Sequence, residues 1–181
     1  MIAFAIAAFL AAGPAAETDH GLVLRAMELA AAAQAEGSAE NLRMAARLLQ
    51  ATGAAPQEGT PDLAGEWMAA ADAMDPQTEA AAPDRGRAVG PGYRRGVATP
   101  AGAVEFSEIF YAGQSATVSL QPTAEADLIL QVTDSDGGEI CQRSAQAASA
   151  SCQWIPAWTA PYQITVRNTG ARETAYYLVT N

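Results

Sequence analysis

The pattern of apolar and polar positions changes character three times along the chain. An uncharged, apolar run from Ile2 to Ala12 comes first and gives way to Gly13, Pro14 and small alanines. A helical spacing follows. Thr18 or Asp19 can cap a helix in which Leu22, Ala26, Leu29 and Ala33 share a face, and Gly37 ends it. Ser38 can cap a second helix with Leu42, Ala45, Ala46 and Leu49 on one side, stopped by Gly53, so that the two form a helical hairpin. A third helix is expected from Pro61, with Thr60 as its cap and Leu63, Trp67, Ala70 and Met74 at spacings that cover the hairpin.

From Asp75 to Pro100, DPQTEAAAPDRGRAVGPGYRRGVATP, no period is visible; proline, glycine and arginine mark it as a linker. Beyond it the period becomes two. VEFSEIFY, ATVSLQP, ADLILQVTD, EICQR, SCQWI, YQITVRN and AYYLVTN are short, rich in β-branched and aromatic residues, and separated by turn signals. Asp136-Gly137 within DSDGGE is a hairpin-turn pair, because the turn demands positive φ. The expected class is therefore α+β: a helical region of two or three helices over 17–75, a linker over 76–100, and an antiparallel β-sandwich over 101–181.

Composition adds a compartment. The leading run is too short for a spanning helix, which needs about 20 apolar residues, and resembles a secretory signal peptide over 1–16, cleaved near Ala15 or Ala16. A periplasmic or secreted product with no stable membrane span after cleavage is expected. Cys141 and Cys152, with strand-like sequence on both sides, suit a disulfide between neighbouring strands in an oxidising space, with two free buried thiols as the alternative. Twenty acidic residues stand against ten arginines with no lysine, for a net charge of −10. That balance repels nucleic acid and anionic membrane surfaces. Arg85, Arg87, Arg94 and Arg95 lie in a stretch without acids; they face either an acidic partner or the protein's own carboxylates.

Catalytic chemistry finds little support. His20, the only histidine, lies close to the expected mature N-terminus, where a mobile or capping role is expected rather than general-base service. Glu105 and Glu108 point to opposite faces of a strand, and no carboxylate pair can be nominated. Asp134 and Asp136 begin like an EF-hand loop, but Gly138 and Glu139 break the motif. Calcium held by Asp127, Asp134 or Asp136 is the only ionic candidate, and no other cofactor is expected. In CQWIPAWTAPYQITVRNTG, residues 152–170, Trp154, Trp158 and Tyr162 are either packed at the end of a sheet or form a ligand platform. Pro156 and Pro161 exclude a helix there.

The residues from Phe110 to Asn181, with FYAGQSATVSLQP, DLILQVTDSDGGEIC, PYQITVRNTG and YYLVTN, resemble the bacterial pre-peptidase C-terminal domain over roughly 102–181. The resemblance implies a jelly-roll-like sandwich with Leu128, Leu130, Val132, Tyr162, Ile164, Val166, Tyr177 and Val179 in its core. It also implies a non-catalytic accessory role in export, localisation or substrate contact. Within this sequence no protease domain precedes the sandwich. Ile129 replaces the second aspartate of the family's DLDL run, so no metal ligands carry over. The functional expectation is an exported accessory or protein-interaction module of the cell envelope, with a carbohydrate-binding or calcium-dependent adhesion module as the alternative. The partner would be an envelope protein or polysaccharide.

Overall fold

The computed structural model describes residues 19–75, 91–146 and 148–181; the leader and most of the linker lie outside them. The helical region consists of α1 (Asp19–Glu36), α2 (Ala39–Ala51) and α3 (Leu63–Met74). Gly37 takes φ +68° after α1, and the Ser38 N–H reaches back to the Ala33 carbonyl at 2.9 Å, which closes the helix with a left-handed cap. Ser38 then starts α2, its hydroxyl accepting from the Asn41 N–H at 3.3 Å. α3 begins two residues later than the sequence suggests. Asp62, not Thr60, is its cap, accepting from the Ala64 N–H at 3.1 Å.

The buried side of α2 is Leu42, Ala45, Ala46 and Leu49, as the spacing predicts. α1 is rotated from expectation: Val23, Ala26, Met27, Ala30 and Ala33 are buried, while Leu22 and Leu29 are half-buried. A helix with apolar residues on most of its circumference has no single face for its sequence to select, so its packing partner makes the choice.

The described residues also form nine strands, of which β1 (Ala55–Pro56) is a two-residue piece in the α2–α3 connection. The others are β2 (Gly92–Ala98), β3 (Ala103–Phe110), β4 (Ala116–Pro122), β5 (Leu128–Thr133), β6 (Glu139–Ala145), β7 (Ala150–Trp154), β8 (Ala160–Asn168) and β9 (Thr174–Thr180). One sheet has the order β1-β2-β9-β4-β7 and the other β3-β8-β5-β6. Apart from β1, this is the eight-stranded jelly-roll arrangement. Only the β5–β6 connection is a hairpin within a sheet; the other connections among β2–β9 cross from one sheet to the other. The hairpin is DSDGGE, with Gly137 at φ +82°.

The linker reading over 76–100 is corrected at its C-terminal end. Gly92–Ala98 is β2, antiparallel to β9 over seven residue pairs and parallel to β1, and residues 76–90 lie outside the described residues. GYRRGVA does alternate, but its two glycines and two arginines conceal it. Tyr93 and Arg95 turn towards the helices, and Arg94 and Gly96 towards the sandwich interior. The jelly roll therefore starts about ten residues earlier than 101.

Two apolar cores result. Leu120, Leu128, Leu130, Val132, Ile164, Val166, Tyr176 and Leu178 fill the space between the sheets. The helices pack on the outer face of the first sheet, where Trp67, Leu63, Met27 and Leu42 enclose Tyr93, Tyr177 and Val179. Trp67 meets Tyr177 edge to face at 6.0 Å, and the Tyr93 hydroxyl accepts the Leu63 N–H at 3.3 Å. Tyr177 and Val179 thus belong to the helix-facing core rather than the interior expected from the resemblance. Among the described residues, the outer face of the second sheet carries no such cover.

Candidate functional site

The sandwich closes its two lateral openings differently. On the β6–β7 side, Cys141 and Cys152 form a disulfide across the sheets, with Cα atoms 5.9 Å apart. On the β2–β3 side, Arg94 reaches Glu108 at 2.8 Å, and its guanidinium lies 4.3 Å from the centre of the Phe106 ring. Gln57 accepts from Arg94 Nε and donates to the Thr180 hydroxyl at 2.7 Å. Arg95 pairs with Glu66 of α3 at 2.9 Å. The two described arginines of the acid-free stretch therefore contact the protein's own carboxylates; Arg85 and Arg87 lie outside the described residues.

His20 is neither mobile nor a cap. Its Nε2 is 2.6 Å from the Ser119 hydroxyl, which in turn lies 2.7 Å from the Ser151 hydroxyl. Burial lowers the His20 pKa from 6.5 to about 4, so the ring is neutral at pH 7. Ser119 has no exposed surface, and a nucleophile there could not meet a substrate. The chain of three polar groups pins α1 to β4 and β7.

The three aspartates considered for calcium do not converge. Asp127 precedes β5 and Asp134 follows it; a six-residue strand separates them by about 20 Å. The Asp134 carboxylate accepts the N–H groups of Asp136 (3.0 Å) and Gly138 (2.7 Å), so it organises the hairpin turn. Among the described residues, no three His, Cys, Asp or Glu side chains come together as a metal-binding group.

The aromatic segment divides. Trp154 is half-buried and sits between Phe110, at 4.8 Å, and Tyr162, at 5.3 Å; Phe110 and Tyr162 meet at 5.9 Å. These rings plug one end of the sandwich. Trp158 does the opposite, with 80% of its surface exposed. Three further large apolar residues stand out at the same end: Ile109 (63%), Tyr111 (60%) and Ile155 (69%). Strand pairing brings them together, since Phe110 faces Ala160 and Ile109 faces Pro161 across β3 and β8.

The loops carrying them are held in place. The Gly113 N–H donates to the Pro156 carbonyl at 2.9 Å, and the Ala112 N–H to the Thr159 hydroxyl at 3.0 Å. Pro156 is itself buried. Trp158 therefore projects from a loop cross-tied to its neighbour and resting on the ring cluster. Proline 156 and proline 161 fix φ on either side of it.

The segments that carry the exposed rings are uncharged, whereas the β5–β6 hairpin at the same end brings Asp134, Asp136 and Glu139. No Asp, Glu or Arg occurs from Ile109 to Ala124 or from Ser144 to Val166, the two stretches that contain those segments. Gln114, Ser115, Gln153 and Thr159 supply their polar groups, and Gln153 donates to the Ser115 hydroxyl at 3.2 Å. In a chain of net charge −10, two such long charge-free stretches are a signal legible in the sequence. Ile109, Tyr111 and Ile155 escaped notice because each, taken alone, reads as an ordinary strand-end residue.

The fold and site define a jelly-roll β-sandwich covered by helices on one sheet and presenting a rigid aromatic end beside an acidic hairpin. No family model and no curated protein matches the chain. Among solved structures, the pre-peptidase C-terminal domain of collagenase from Bacillus anthracis is similar at 8% identity, over 49% of this chain and 87% of that one, with a TM-score of 0.45. Aeromonas hydrophila PliG, a periplasmic inhibitor of g-type lysozyme, is similar at 13% identity over 50% and 84%, with a TM-score of 0.39. A CBM4 structure is similar at 13% identity over 49% and 79%, with a TM-score of 0.32. No helix among the described residues is long and apolar enough to cross a membrane.

Proposed function

We propose that the chain is an exported, non-catalytic binding module of the bacterial cell envelope, and that it engages its partner through the Trp158 end of the sandwich. The observation that carries this reading is the 80% exposure of Trp158 on a tied loop, grouped with Tyr111, Ile109 and Ile155. Exposing that much apolar surface costs solvation free energy in the free protein, and such patches mark interaction sites. Trp and Tyr are also the residues that dominate binding energy at interfaces. The disulfide supports an oxidising compartment, and the leader supports export.

The test is retention of the purified protein on an insoluble envelope fraction. Wild type is expected to bind and Trp158→Ala to bind roughly tenfold more weakly or worse, with unchanged melting temperature because the side chain packs against little. Equal retention of the two proteins would overturn the reading.

A further inference from the structure

Resting on that reading, we propose that the ligand of the Trp158 end is an uncharged polysaccharide, bound with its apolar sugar faces on Trp158 and Tyr111 and its hydroxyls on the surrounding amides and hydroxyls. The chemistry of the surface points to this class. A pyranose presents C–H groups on its faces, which suit an exposed aromatic ring, and a rim of hydroxyls, which suits side chains able both to donate and to accept. Here Gln114, Ser115, Gln153 and Thr159, on the segments that carry the rings, are of that kind.

Charge separates this class from the alternatives that would otherwise compete. An acidic polymer finds no cation from Ile109 to Ala124 or from Ser144 to Val166, and meets a protein of net charge −10. A basic partner would be drawn to Asp134, Asp136 and Glu139 of the β5–β6 hairpin rather than to the rings. The adjoining surface is mostly amides and hydroxyls. The outer face of the second sheet, not covered by the three helices, carries a row of Ser107, Gln163 and Thr133 and beside it Thr165 and Gln131, aligned by strand register, with Glu105 and Glu139 at the ends of the rows accepting from Gln163 and Gln131. Ile109 and Pro161, paired across β3 and β8, join this face to the aromatic end. An extended, neutral chain of sugars could run from Trp158 onto these rows. Loop anchoring through Pro156 and Thr159 presents the ring already ordered, so little conformational freedom is lost on binding.

Two measurements decide the matter. In native gels containing neutral polysaccharides (a glucan, a mannan and a xylan), at least one should retard wild type. Trp158→Ala should then run roughly tenfold less retarded in apparent affinity, with Trp158→Phe between the two. Polygalacturonate and alginate should have no effect, and retardation by the neutral polymer should be insensitive to added salt. Retardation only by the acidic polymers, or by none of the five, overturns the proposal. The envelope fraction separates this failure from failure of the binding-module reading. Retention that survives protease treatment of the fraction but is lost after periodate oxidation supports a glycan. Retention that is lost with protease and survives periodate keeps the module reading and overturns the glycan. Equal retention of wild type and Trp158→Ala overturns both, as does sedimentation showing that the patch is occupied by a second copy of the chain.

Discussion

At the scale of single residues, the fold depends on small groups whose surroundings leave them no freedom. Gly96 lies opposite Tyr176 in the β2–β9 pairing, and a Cβ added there would meet the Tyr176 ring and hydroxyl at 2.5 Å. Tyr176 is fully buried, so its ring cannot swing into solvent. Gly96→Ala is expected to cost about 1–3 kcal/mol, the usual penalty of overpacking, read as a lower urea midpoint. An unchanged midpoint would mean that the ring repacks freely. Among the residues singled out from sequence, Trp154 and Trp158 were indistinguishable by type and environment of neighbours. Four positions of chain and a buried proline separate a ring used as a plug from a ring used as a surface.

His20 gives a pH signature at the same scale. Its pKa is lowered by burial from 6.5 to about 4. Above pH 6.5 the ring is neutral in both folded and unfolded chains. Between 6.5 and about 4 the unfolded chain takes up a proton that the folded one excludes, so stability falls as pH drops through that window. Allowing for partial solvent screening, the loss is on the order of 2 kcal/mol. Urea titrations at pH 7 and pH 4 should show wild type losing more stability than His20→Gln by about that amount. Parallel losses would show that the ring is solvated in the folded protein.

At the scale of elements, each piece is tied by a different kind of bond. α3 ends on Arg43 of α2, a side chain that is nearly buried and reaches the Asp75 carbonyl at 2.7 Å, the Ala71 carbonyl at 3.3 Å and the Asp72 carboxylate at 3.2 Å. It occupies the negative end of the α3 dipole and adds donors to carbonyls of the last turn, of which Ala71 also accepts from the Asp75 N–H. Arg43→Met keeps much of the apolar stem but removes these charge-assisted bonds and the ion pair with Asp72. It is expected to destabilise by about 2–3 kcal/mol, with the amides of the last turn of α3 exchanging faster than those of α1. Uniformly unchanged exchange would remove the cap from consideration. β6 and β7 are joined by Cys141–Cys152, and a loop of this length contributes about 3 kcal/mol when closed. The double Cys→Ser variant should melt roughly 6–12 °C lower without losing its strand content by circular dichroism.

The elements were mostly readable. Seven of the strand segments and the α2 face follow directly from period, because alternation and the 3.6-residue repeat are properties of the chain alone. β2 was hidden because a strand with two glycines has no side chains to mark the inward positions, and its arginines obtain their partners, Glu108 and Glu66, from distant parts of the sequence. The buried side of α1 was hidden for the opposite reason: too many of its residues are apolar.

At the scale of the whole molecule, the helices and the sandwich act as one packed unit. Trp67 is buried against Tyr177, and removing it strips the largest side chain from the interface between helices and sheet. Trp67→Ala is expected to cost about 3–5 kcal/mol and to destabilise helices and strands together. A single cooperative transition by both far-ultraviolet dichroism and tyrosine fluorescence would confirm the coupling, whereas separate transitions would show two independent units. A sandwich expressed without residues 19–75 would expose Tyr93, Tyr177 and Val179 and should bind a hydrophobic dye that the intact chain does not.

The helices cover one sheet and leave the other bare, which gives the molecule a back and a front. The front meets the aromatic end at Ile109 and Pro161. By itself the sequence determined the α+β class, the strand-rich half, the turn at Asp136-Gly137 and the cysteines available for pairing, because these depend on local periodicity and on residue types with few conformational options. Only the tertiary structure decided that Tyr93, Tyr177 and Val179 serve the helices, that His20 lies half-buried against Ser119, and that Trp158 stands in solvent while Trp154 does not. Those outcomes depend on which distant segments share a surface, and side chains of the same type are equally suited to a core or to a ligand until the fold assigns their neighbours.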